Sequence, residues 1–307
     1  MNRNRGVVTI ILVTLALLVT VETVWYKLAE KKRNTKEAVS LILFDDGKNW
    51  ENLKEGAKQA AENGNVDLSI VAMSSSNDAD QQYNLIVNEF NAGADRVIVA
   101  AVDKDELAAK LKGQYKGRIT FALSSIGDGD YVTVANDNYK MGMELGLRVV
   151  ADAGSKEVAI LDHGINRDYL NDRKAGLLYA FNDRGYPVEE WMLTQDGEEY
   201  YEALKDKLEN SSVEKIIVIN EETLSDVIKV TDSVNRIIEV YAISNSDEAV
   251  YLLDSQKIKL LAFPDEFGIG YEAVSLDNAK KLIQYKIVDR KNMYKGEYEK
   301  VLFPFVK

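Results

Sequence analysis

Short apolar runs rich in β-branched residues alternate with helix-length amphipathic segments along most of this 307-residue chain. The pattern starts with "AVSLILF" at residues 38–44, followed by a predicted helix at 50–63, and it continues to "KIKLLAF" at 257–263. Runs this apolar are typical of strands buried on both faces, as in parallel sheets that are covered by helices. The alternation therefore predicts an α/β protein with doubly wound parallel sheets.

The length of the alternating region indicates more than one folding unit. With 46% hydrophobic residues, the chain is long enough for two lobes that each have their own core. Further helices are predicted at 79–92, 104–112, 139–153, 168–184 and 222–233.

Composition excludes several classes of function. The formal net charge of −12 and the absence of a basic tract in the folded region argue against nucleic acid as a partner. The absence of cysteine excludes disulfides, thiolate metal sites and cysteine nucleophiles, and there is only one histidine. No glycine-rich phosphate loop follows the first strand, and no Gly-x-Ser-x-Gly elbow is present. We therefore expect a protein that is not an enzyme and has no cofactor and no metal site.

An uncharged stretch near the N-terminus predicts a membrane anchor. Residues 6–21, "GVVTIILVTLALLVTV", carry no charge, and Trp25 and Tyr26 follow as aromatics typical of an interface. A cleaved signal peptide is the competing interpretation, since Arg3 and Arg5 form a basic start, but no small-x-small cleavage site follows. We therefore expect one uncleaved transmembrane helix within a 1–36 anchor and linker.

The orientation of this anchor is ambiguous from charge. The basic residues on its C-terminal side outnumber the two N-terminal arginines, and counting positive charges would place the main domain in the cytoplasm. These residues are Lys27, Lys31, Lys32, Arg33 and Lys36.

Trp50 stands in the polar turn after the first strand, where large apolar side chains usually have little to cover. In open parallel sheets, ligands bind outside the carboxyl ends of the strands. Trp50 is therefore expected at the mouth of a crevice, where its flat ring could stack on the apolar face of a sugar-like ring. The alternative is that Trp50 packs at the start of its helix or between lobes.

Five segments, in order and at comparable spacing, resemble a known family. They are "DGKNWENLKEGAKQAAEN", "VTVANDNYKMGMELG", "NDRKAGLLYAF", "VINEETLSDVI" and "FPDEFGIGYEAV". Together they are similar to the type I periplasmic solute-binding proteins of the ribose and galactose kind, and the resemblance covers about residues 37–305. It implies two lobes joined by three hinge strands, which close on a ligand between them. The implied lobes are 37–136 plus 263–292, and 137–262 plus 293–307.

The resemblance also implies three ligand-binding residues. Trp50 corresponds to a ring-stacking aromatic, Arg173 to an arginine that binds ligand oxygens, and Asn220 to a binding asparagine at a strand end. A planar guanidinium can make forked hydrogen bonds, although a surface ion pair with Asp168 or Asp172 is an alternative role for Arg173. An asparagine side chain both donates and accepts, but it is also an ordinary turn former.

The chain departs from the family pattern at several site positions. Ser124 and Ser125 stand where ribose binders carry Asp-Arg, and Ser244 and Asn245 stand where they carry an aspartate. A serine cannot clamp two adjacent hydroxyls as a carboxylate does. We therefore expect a smaller or less hydroxylated ligand, or weaker binding of a monosaccharide.

Four other residues could replace the missing ligand contacts: Asp45, Asp46, Asp137 and His163. Neighbouring residues at a strand end usually point in different directions, which makes joint action by Asp45 and Asp46 less favourable. Asp137 is better explained as the N-cap of the next helix, and His163 as a neutral histidine that is hydrogen-bonded in a loop.

The sequence thus predicts a membrane-anchored, extracytoplasmic solute-binding protein with a small carbohydrate-like ligand. The expected partner is the permease of an ABC-type importer. Two alternatives remain: a ligand-sensing subunit for a membrane sensor histidine kinase, and a degenerate binding fold that serves as an interaction module without ligand.

Overall fold

The computed structural model describes residues 36–74, 78–124, 131–275 and 281–302, together with Thr20 and Glu22. Within these ranges the chain forms two α/β lobes, each built on one six-stranded sheet. The predicted anchor at 6–21 lies outside the described residues except for Thr20. In the described ranges, no helix combines the length and the apolar character needed to cross a bilayer.

The first lobe is formed mainly by the N-terminal half of the described chain. In chain order its elements are β1 (Glu37–Leu43), α1 (Glu51–Gly64), β2 (Val66–Ala72), α2 (Ala79–Ala92), β3 (Arg96–Ala100), α3 (Lys104–Leu111), β4 (Ile119–Ala122) and β5 (Val132–Asn136). The side chains of Asp78 and Asp103 accept backbone N–H bonds and fix the starts of α2 and α3. The predicted helices at 50–63, 79–92 and 104–112 match these elements closely.

The second lobe follows with the same alternation. Its elements are α4 (Asn138–Ala151), β6 (Glu157–Asp162), α5 (Asp168–Asp183), β7 (Glu189–Met192), α6 (Gly197–Glu209), β8 (Val213–Val218), α7 (Leu224–Ser233), β9 (Glu239–Ile243), α8 (Asp247–Asp254) and β10 (Ile258–Pro264). The chain then returns to the first lobe with α9 (Glu266–Ser275) and β11 (Lys281–Ile283), and ends in the second with β12 (Tyr285–Val288) and α10 (Gly296–Leu302). The sequence pattern missed β7 because only one of its residues is buried.

The strand order shows how the lobes are connected. The sheets run β11-β5-β4-β3-β1-β2 and β12-β10-β9-β8-β6-β7, and all neighbours are parallel except β10 and β12. The chain crosses between lobes after Asn136, after Pro264 and at Gln284, which gives the three predicted connections. The predicted return to the second lobe at 292/293 is too late, because β12 already pairs with β10.

Each lobe contains a closely packed pair of helices, one of which directly follows a crossover between the lobes. In the second lobe α4 packs on α5 through Gly142 and Gly176, where an added Cβ would lie 2.1 Å and 2.0 Å from a backbone oxygen of the facing helix. In the first lobe α1 packs on α9 in the same way through Gly56 and Gly270. A side chain at these positions would separate the helices. The glycine of the "NDRKAG" segment therefore sets the position of Arg173, one turn earlier on α5.

Candidate ligand-binding site between the lobes

A small cavity lies where the two lobes meet. It is lined by residues that follow the carboxyl ends of β1, β6, β8 and β10, and it has a volume of about 20 Å³, enough for one water molecule. The lining residues are Asn49, Trp50, Tyr169, Arg173, Asn220, Glu221, Glu222 and Glu266. The cavity thus lies where the strand-end rule predicts a ligand site.

Trp50 ends a short 3₁₀ turn and is almost completely buried at this cavity. Its indole Nε1 donates a hydrogen bond to Asp45 Oδ1 (2.8 Å), and its ring packs on Phe44 with centroids 5.1 Å apart. Asp45 Oδ1 also accepts from Gly47 N (2.8 Å), so the turn holds both side chains in place. Trp50 therefore faces the second lobe and not solvent, although it stands in the turn after the first strand.

Arg167 is the residue of the second lobe that covers these rings. Its guanidinium lies over the Phe44 ring at 4.1 Å from the centroid and at 5.7 Å from that of Trp50. Its Nη2 is 3.5 Å from Asp45 Oδ2, and its Nη1 is 3.8 Å from Glu222 Oε1. Arg167 is 2% exposed, so a cation from one lobe is enclosed by the aromatic rings of the other.

Arg173 reaches the same cavity from α5. Its Nε donates to Asn138 Oδ1 (3.1 Å) at the first crossover, and its Nη1 lies 3.5 Å from the carbonyl oxygen of Ile219. The guanidinium also lies over the Tyr169 ring at 4.8 Å, and burial lowers the pKa of Arg173. The alternative of a surface ion pair with Asp168 is wrong, because Arg173 is buried with these other partners. The structure thus brings Trp50 and Arg173, which belong to different lobes, to one cavity.

Asn220 follows β8 and stands at the start of a 3₁₀ turn (Glu221–Thr223). Its Oδ1 accepts from Glu222 N (3.2 Å), as a turn former would, while its Nδ2 has no partner. The next residue, Glu221, accepts from Ser244 Oγ (2.9 Å) and from Asn245 N (3.2 Å). Burial raises the pKa of Glu221 by more than these hydrogen bonds and the nearby Arg173 charge lower it. Ser244 therefore acts on the cavity through Glu221.

Glu266 begins α9 and contributes a carboxyl group at the second crossover. Burial, together with the nearby Glu221 carboxylate, raises the pKa of Glu266 to about 8. Its Oε2 has no hydrogen-bond partner. Near neutral pH the group is therefore largely protonated, and it can both donate and accept a hydrogen bond.

Unpartnered polar atoms are concentrated at this place. Among the described residues, four buried side-chain atoms lack a hydrogen-bond partner: Arg167 Nε, Asn220 Nδ2, Asn245 Nδ2 and Glu266 Oε2. Three of these residues line or cover the cavity, and Asn245 binds Glu221 beside it. Because buried polar atoms in folded proteins are nearly always paired, such a cluster needs an explanation. Asn220 Nδ2, Asn245 Nδ2 and Glu266 Oε2 could be satisfied together by a ligand with several oxygen atoms.

Three predicted contacts point elsewhere. The Asp46 side chain is 94% exposed and lies 3.9 Å from Lys54, so Asp45 alone turns toward the cavity. Asp137 accepts from Lys140 N (2.9 Å) as the N-cap of α4, which was the favoured alternative. His163 binds the carbonyl oxygen of Leu193 (2.8 Å) and the carboxylate of Asp196 (3.1 Å), away from the residues that line the cavity.

Of the predicted serine pair, Ser124 is described, and it does not line the cavity. Ser124 is buried at the end of β4, and its Oγ lies 3.4 Å from the carbonyl oxygen of Ala122. Ser125 lies outside the described residues. Its role in ligand binding stays a prediction.

Sequence reasoning missed Arg167, Tyr169, Glu221 and Glu266. Arg167 and Tyr169 flank the start of α5, a few residues beyond β6, and Glu221 directly follows Asn220. The strand-end rule applied to Trp50 would therefore have found them. Glu266 had no such signal, because its burial depends on how α9 packs between the lobes.

The profile of the periplasmic binding protein domain family matches residues 38–285 of the chain. This match covers most of the chain and agrees with the resemblance noted in the sequence. A search of curated protein sequences finds no match.

Many solved structures share the fold at low sequence identity. GanP, a glucose-galactose binding protein from Geobacillus stearothermophilus, aligns with a TM-score of 0.73 at 16% identity, over 85% of this chain and 100% of its own. A carbohydrate transporter from Acidothermus cellulolyticus, in complex with myo-inositol, aligns with a TM-score of 0.75 at 15% identity, over 87% and 99%. The XylFII-LytSN complex aligns with a TM-score of 0.71 at 15% identity, over 84% and 99%.

Proposed function

Since this chain belongs to the periplasmic binding protein domain family, we propose that it is a membrane-anchored, extracytoplasmic solute-binding protein. In this proposal its two lobes close on a small carbohydrate-like ligand. Family membership makes the chain a binding protein and not an enzyme. The choice of ligand class and the membrane anchor are parts of the proposal.

The observation that carries the proposal is the cluster of unpartnered polar atoms beside Trp50. Asn220 Nδ2 and Asn245 Nδ2 are donors, and the protonated Glu266 can donate or accept. A sugar or cyclitol offers hydroxyl groups for such atoms and an apolar ring face for an indole. The glucose-galactose binding protein and the myo-inositol complex, which share this fold, support the same ligand class.

Binding requires the lobes to separate. The cavity of about 20 Å³ is far smaller than a monosaccharide, and Trp50 is 3% exposed. The three crossovers are the only covalent connections between the described parts of the two lobes. Rotation of the lobes about these crossovers would widen the site, as in hinge-closing binding proteins.

The proposed partner is the permease of an ABC-type importer, to which the closed protein would deliver its ligand. A second candidate is a ligand-sensing subunit for a membrane sensor histidine kinase. It is supported by the XylFII-LytSN complex, in which a protein of this fold is assembled with another protein. Both functions need the same ligand-dependent closure.

The proposed anchor rests on the uncharged segment at residues 6–21. We expect residues 37–307 on the outer side of the cytoplasmic membrane, despite the basic flank at 27–36. Protease added to intact spheroplasts should remove this domain. Protection until the cells are lysed would place it in the cytoplasm and contradict the proposal.

The ligand can be tested by thermal shift of the full-length chain in detergent. The panel is glucose, galactose, myo-inositol, D-arabinose and D-ribose, because a ligand that binds only the folded protein raises the Tm by mass action. The shift should disappear in Trp50→Ala and Arg173→Ala, whose folding is checked by circular dichroism. Arg184→Ala is the control, because Arg184 is exposed and pairs with the adjacent Asp183. Absence of any shift across the panel would favour the interaction module without ligand.

A further inference from the structure

Arg167 connects the two lobes by contacts that involve side chains alone. It stands directly before α5 in the second lobe, with an extended backbone (φ −139°, ψ 138°) that directs it away from the helix. Phe44, Trp50 and Asp45, which it contacts, all belong to the first lobe. Its position depends on the two lobes being together.

The Arg167 guanidinium covers the aromatic surface that ring stacking would use. It lies 4.1 Å from the Phe44 centroid and 5.7 Å from the Trp50 centroid. A ligand that stacks on this face of Trp50 would need the space that the guanidinium occupies. The arginine and the ligand therefore compete for the same rings.

The polar contacts of Arg167 are long for a buried guanidinium. The distances are 3.4 Å to Tyr169 Oη, 3.5 Å to Asp45 Oδ2 and 3.8 Å to Glu222 Oε1, and Nε has no partner. Good charged hydrogen bonds are near 2.8 Å, so burial of this cation is only partly compensated. Arg167 is thus held firmly enough to join the lobes but loosely enough to be displaced.

Other contacts between the lobes include the Phe44 and Tyr169 rings, with centroids 6.1 Å apart, the packing of Tyr169 and Leu170 on the core of the first lobe, and two hydrogen bonds. Asn52 Nδ2 donates to the carbonyl oxygen of Asn245 (2.7 Å), and Lys104 N donates to Asp168 Oδ2 (3.1 Å). Each is one hydrogen bond to a rim position, and hydrogen bonds of this kind contribute modestly to stability. Arg167 contacts two rings, carries a charge and is 2% exposed. We therefore expect it to make the largest single contribution to keeping the lobes closed.

We propose that Arg167 is a latch that closes the two lobes on each other in the absence of ligand, by occupying the Phe44 and Trp50 rings. Ligand binding then requires its displacement, so Arg167 sets the affinity and the opening equilibrium together. The part of the proposal that concerns ligand rests on the proposed function. The part that concerns closure does not, and it can be tested without ligand.

The test measures the distance between the lobes by fluorescence energy transfer in the full-length chain. The chain has no cysteine, so cysteines introduced at Asp80 and Glu199 are the only labelling sites. Both residues are exposed in the first turn of a helix, α2 in the first lobe and α6 in the second. Without added sugar, Arg167→Ala and Arg167→Met should lower the transfer efficiency relative to the chain that carries the same two labelled cysteines and keeps Arg167.

A second readout reports on the rings themselves. Acrylamide quenching of Trp50, obtained by difference from a Trp50→Phe chain, should increase about 2- to 30-fold in Arg167→Ala if the open population rises by the worth of a desolvated cation–π contact. Arg184→Ala removes the same charge from an exposed site of the second lobe and should change neither signal. Arg167→Lys should give an intermediate result, since lysine keeps the charge but lacks the planar guanidinium.

Unchanged energy transfer and unchanged quenching in folded Arg167→Ala would overturn the latch and leave the proposed function standing. Failure of both Arg167→Ala and Arg167→Met to fold would also overturn it, because a latch between lobes is not needed for the core of either lobe. Conversely, if no sugar of the panel bound, the proposed function would be contradicted. The energy-transfer and quenching measurements without sugar would still test the latch.

Discussion

Strands β8 and β9 carry a buried polar cluster at each end, and the two clusters are built in opposite ways. At the amino ends, Lys215 Nζ lies 2.6 Å from Glu239 Oε2, 2.6 Å from Tyr241 Oη and 3.2 Å from Asp152 Oδ2. Lys259 reinforces this basal cluster by pairing with Asp152 (2.8 Å) and Glu239 (2.9 Å). None of its described side chains contains a buried atom without a partner.

At the carboxyl ends of the same strands, the interlobe cluster leaves polar atoms unpaired. Asn220 and Asn245 follow β8 and β9, and each has an Nδ2 without a partner, as does Glu266 at its Oε2. Lys215, at the centre of the basal cluster, is as buried as Asn220 and Asn245 in the interlobe cluster, so burial of the central side chain alone does not explain the difference. The basal cluster has the pairing expected of a structural network, whereas the interlobe cluster retains the unused hydrogen-bonding groups expected of a binding site.

The largest effect on stability should come from the basal cluster. Lys215→Met removes the central cation, which is 0% exposed, and leaves Glu239 and Asp152 with less compensation. We expect a loss of about 3–5 kcal/mol in the free energy of unfolding, the usual cost of breaking a buried ion pair. Urea denaturation of the full-length chain measures it. Lys259→Met is the matched control and should cost about 1 kcal/mol or less, because Lys259 is 45% exposed. Equal costs for the two lysines would show that burial does not organise this cluster.

The two clusters should also respond to pH in opposite directions. Burial by itself would raise the pKa of Glu239, but hydrogen bonds from Lys215, Lys156 and Lys259 outweigh it and lower that pKa. The contribution of Glu239 is therefore complete above its ordinary pKa near 4.5 and is lost as the pH falls further. For Glu266, the folded protein keeps the proton up to about pH 8, while the unfolded chain loses it near 4.5.

The contribution of Glu266 to stability should hence be greatest below pH 4.5 and decline as the pH rises to about 8, by at most about 1.4 kcal/mol per pH unit. Unfolding free energies of the parent chain, Glu266→Gln and Glu239→Gln, measured from pH 3 to 9, separate the two effects. The difference between parent and Glu266→Gln should shrink between pH 4.5 and 8, and that for Glu239→Gln only in acid. The same pH profile for both variants would show that Glu266 is not buried as described.

Several elements of this comparison could be predicted from the sequence. Most strands and helices follow from the period of the apolar residues, with β7 an exception, and the placement of Trp50 and Asn220 follows from their positions beyond strand ends. The direction in which the side chain of a strand-end residue points could not be predicted. Asp45 faces Arg167, whereas the adjacent Asp46 faces solvent.

The parts of the site that were missed depend on contacts between distant segments. Phe44 and Arg167 meet only when the two lobes are together, and no local pattern in either segment records the other. The burial of Glu266 similarly depends on the packing of α9. His163 also follows a strand end, but its side chain hydrogen-bonds to the carbonyl oxygen of Leu193 in a neighbouring loop.

Substitution of Arg167 changes the interlobe site but keeps the unpaired Nδ2 atoms of Asn220 and Asn245. Arg167→Ala should bind the most stabilising sugar of the panel about 2- to 30-fold more tightly, because the rings no longer have to be vacated. Titration calorimetry measures the change, with Arg184→Ala as the control. Weaker binding in Arg167→Ala would identify Arg167 as a direct ligand contact instead of a competitor.

The smallest effect on stability is expected at Asn245. No hydrogen bond of good geometry reaches its Nδ2, although its side chain is close enough to Glu266 to lower the pKa of that carboxyl, and its backbone N and O keep their bonds to Glu221 and Asn52 in any variant. Asn245→Ala should therefore change the free energy of unfolding by less than about 1 kcal/mol. The same variant should lose most of its sugar binding. A large loss of stability with binding intact would remove Asn245 from the site.

A crystal structure of the full-length chain, grown with the sugar that gives the largest thermal shift, tests the central claim most directly. The account predicts sugar between the lobes, stacked on Trp50, with hydroxyl groups within hydrogen-bond distance of Asn220 Nδ2 and Glu266 Oε2, and with Arg167 moved off the Phe44 and Trp50 rings. Sugar bound elsewhere, with these atoms still unpaired and Arg167 still on the rings, would contradict it.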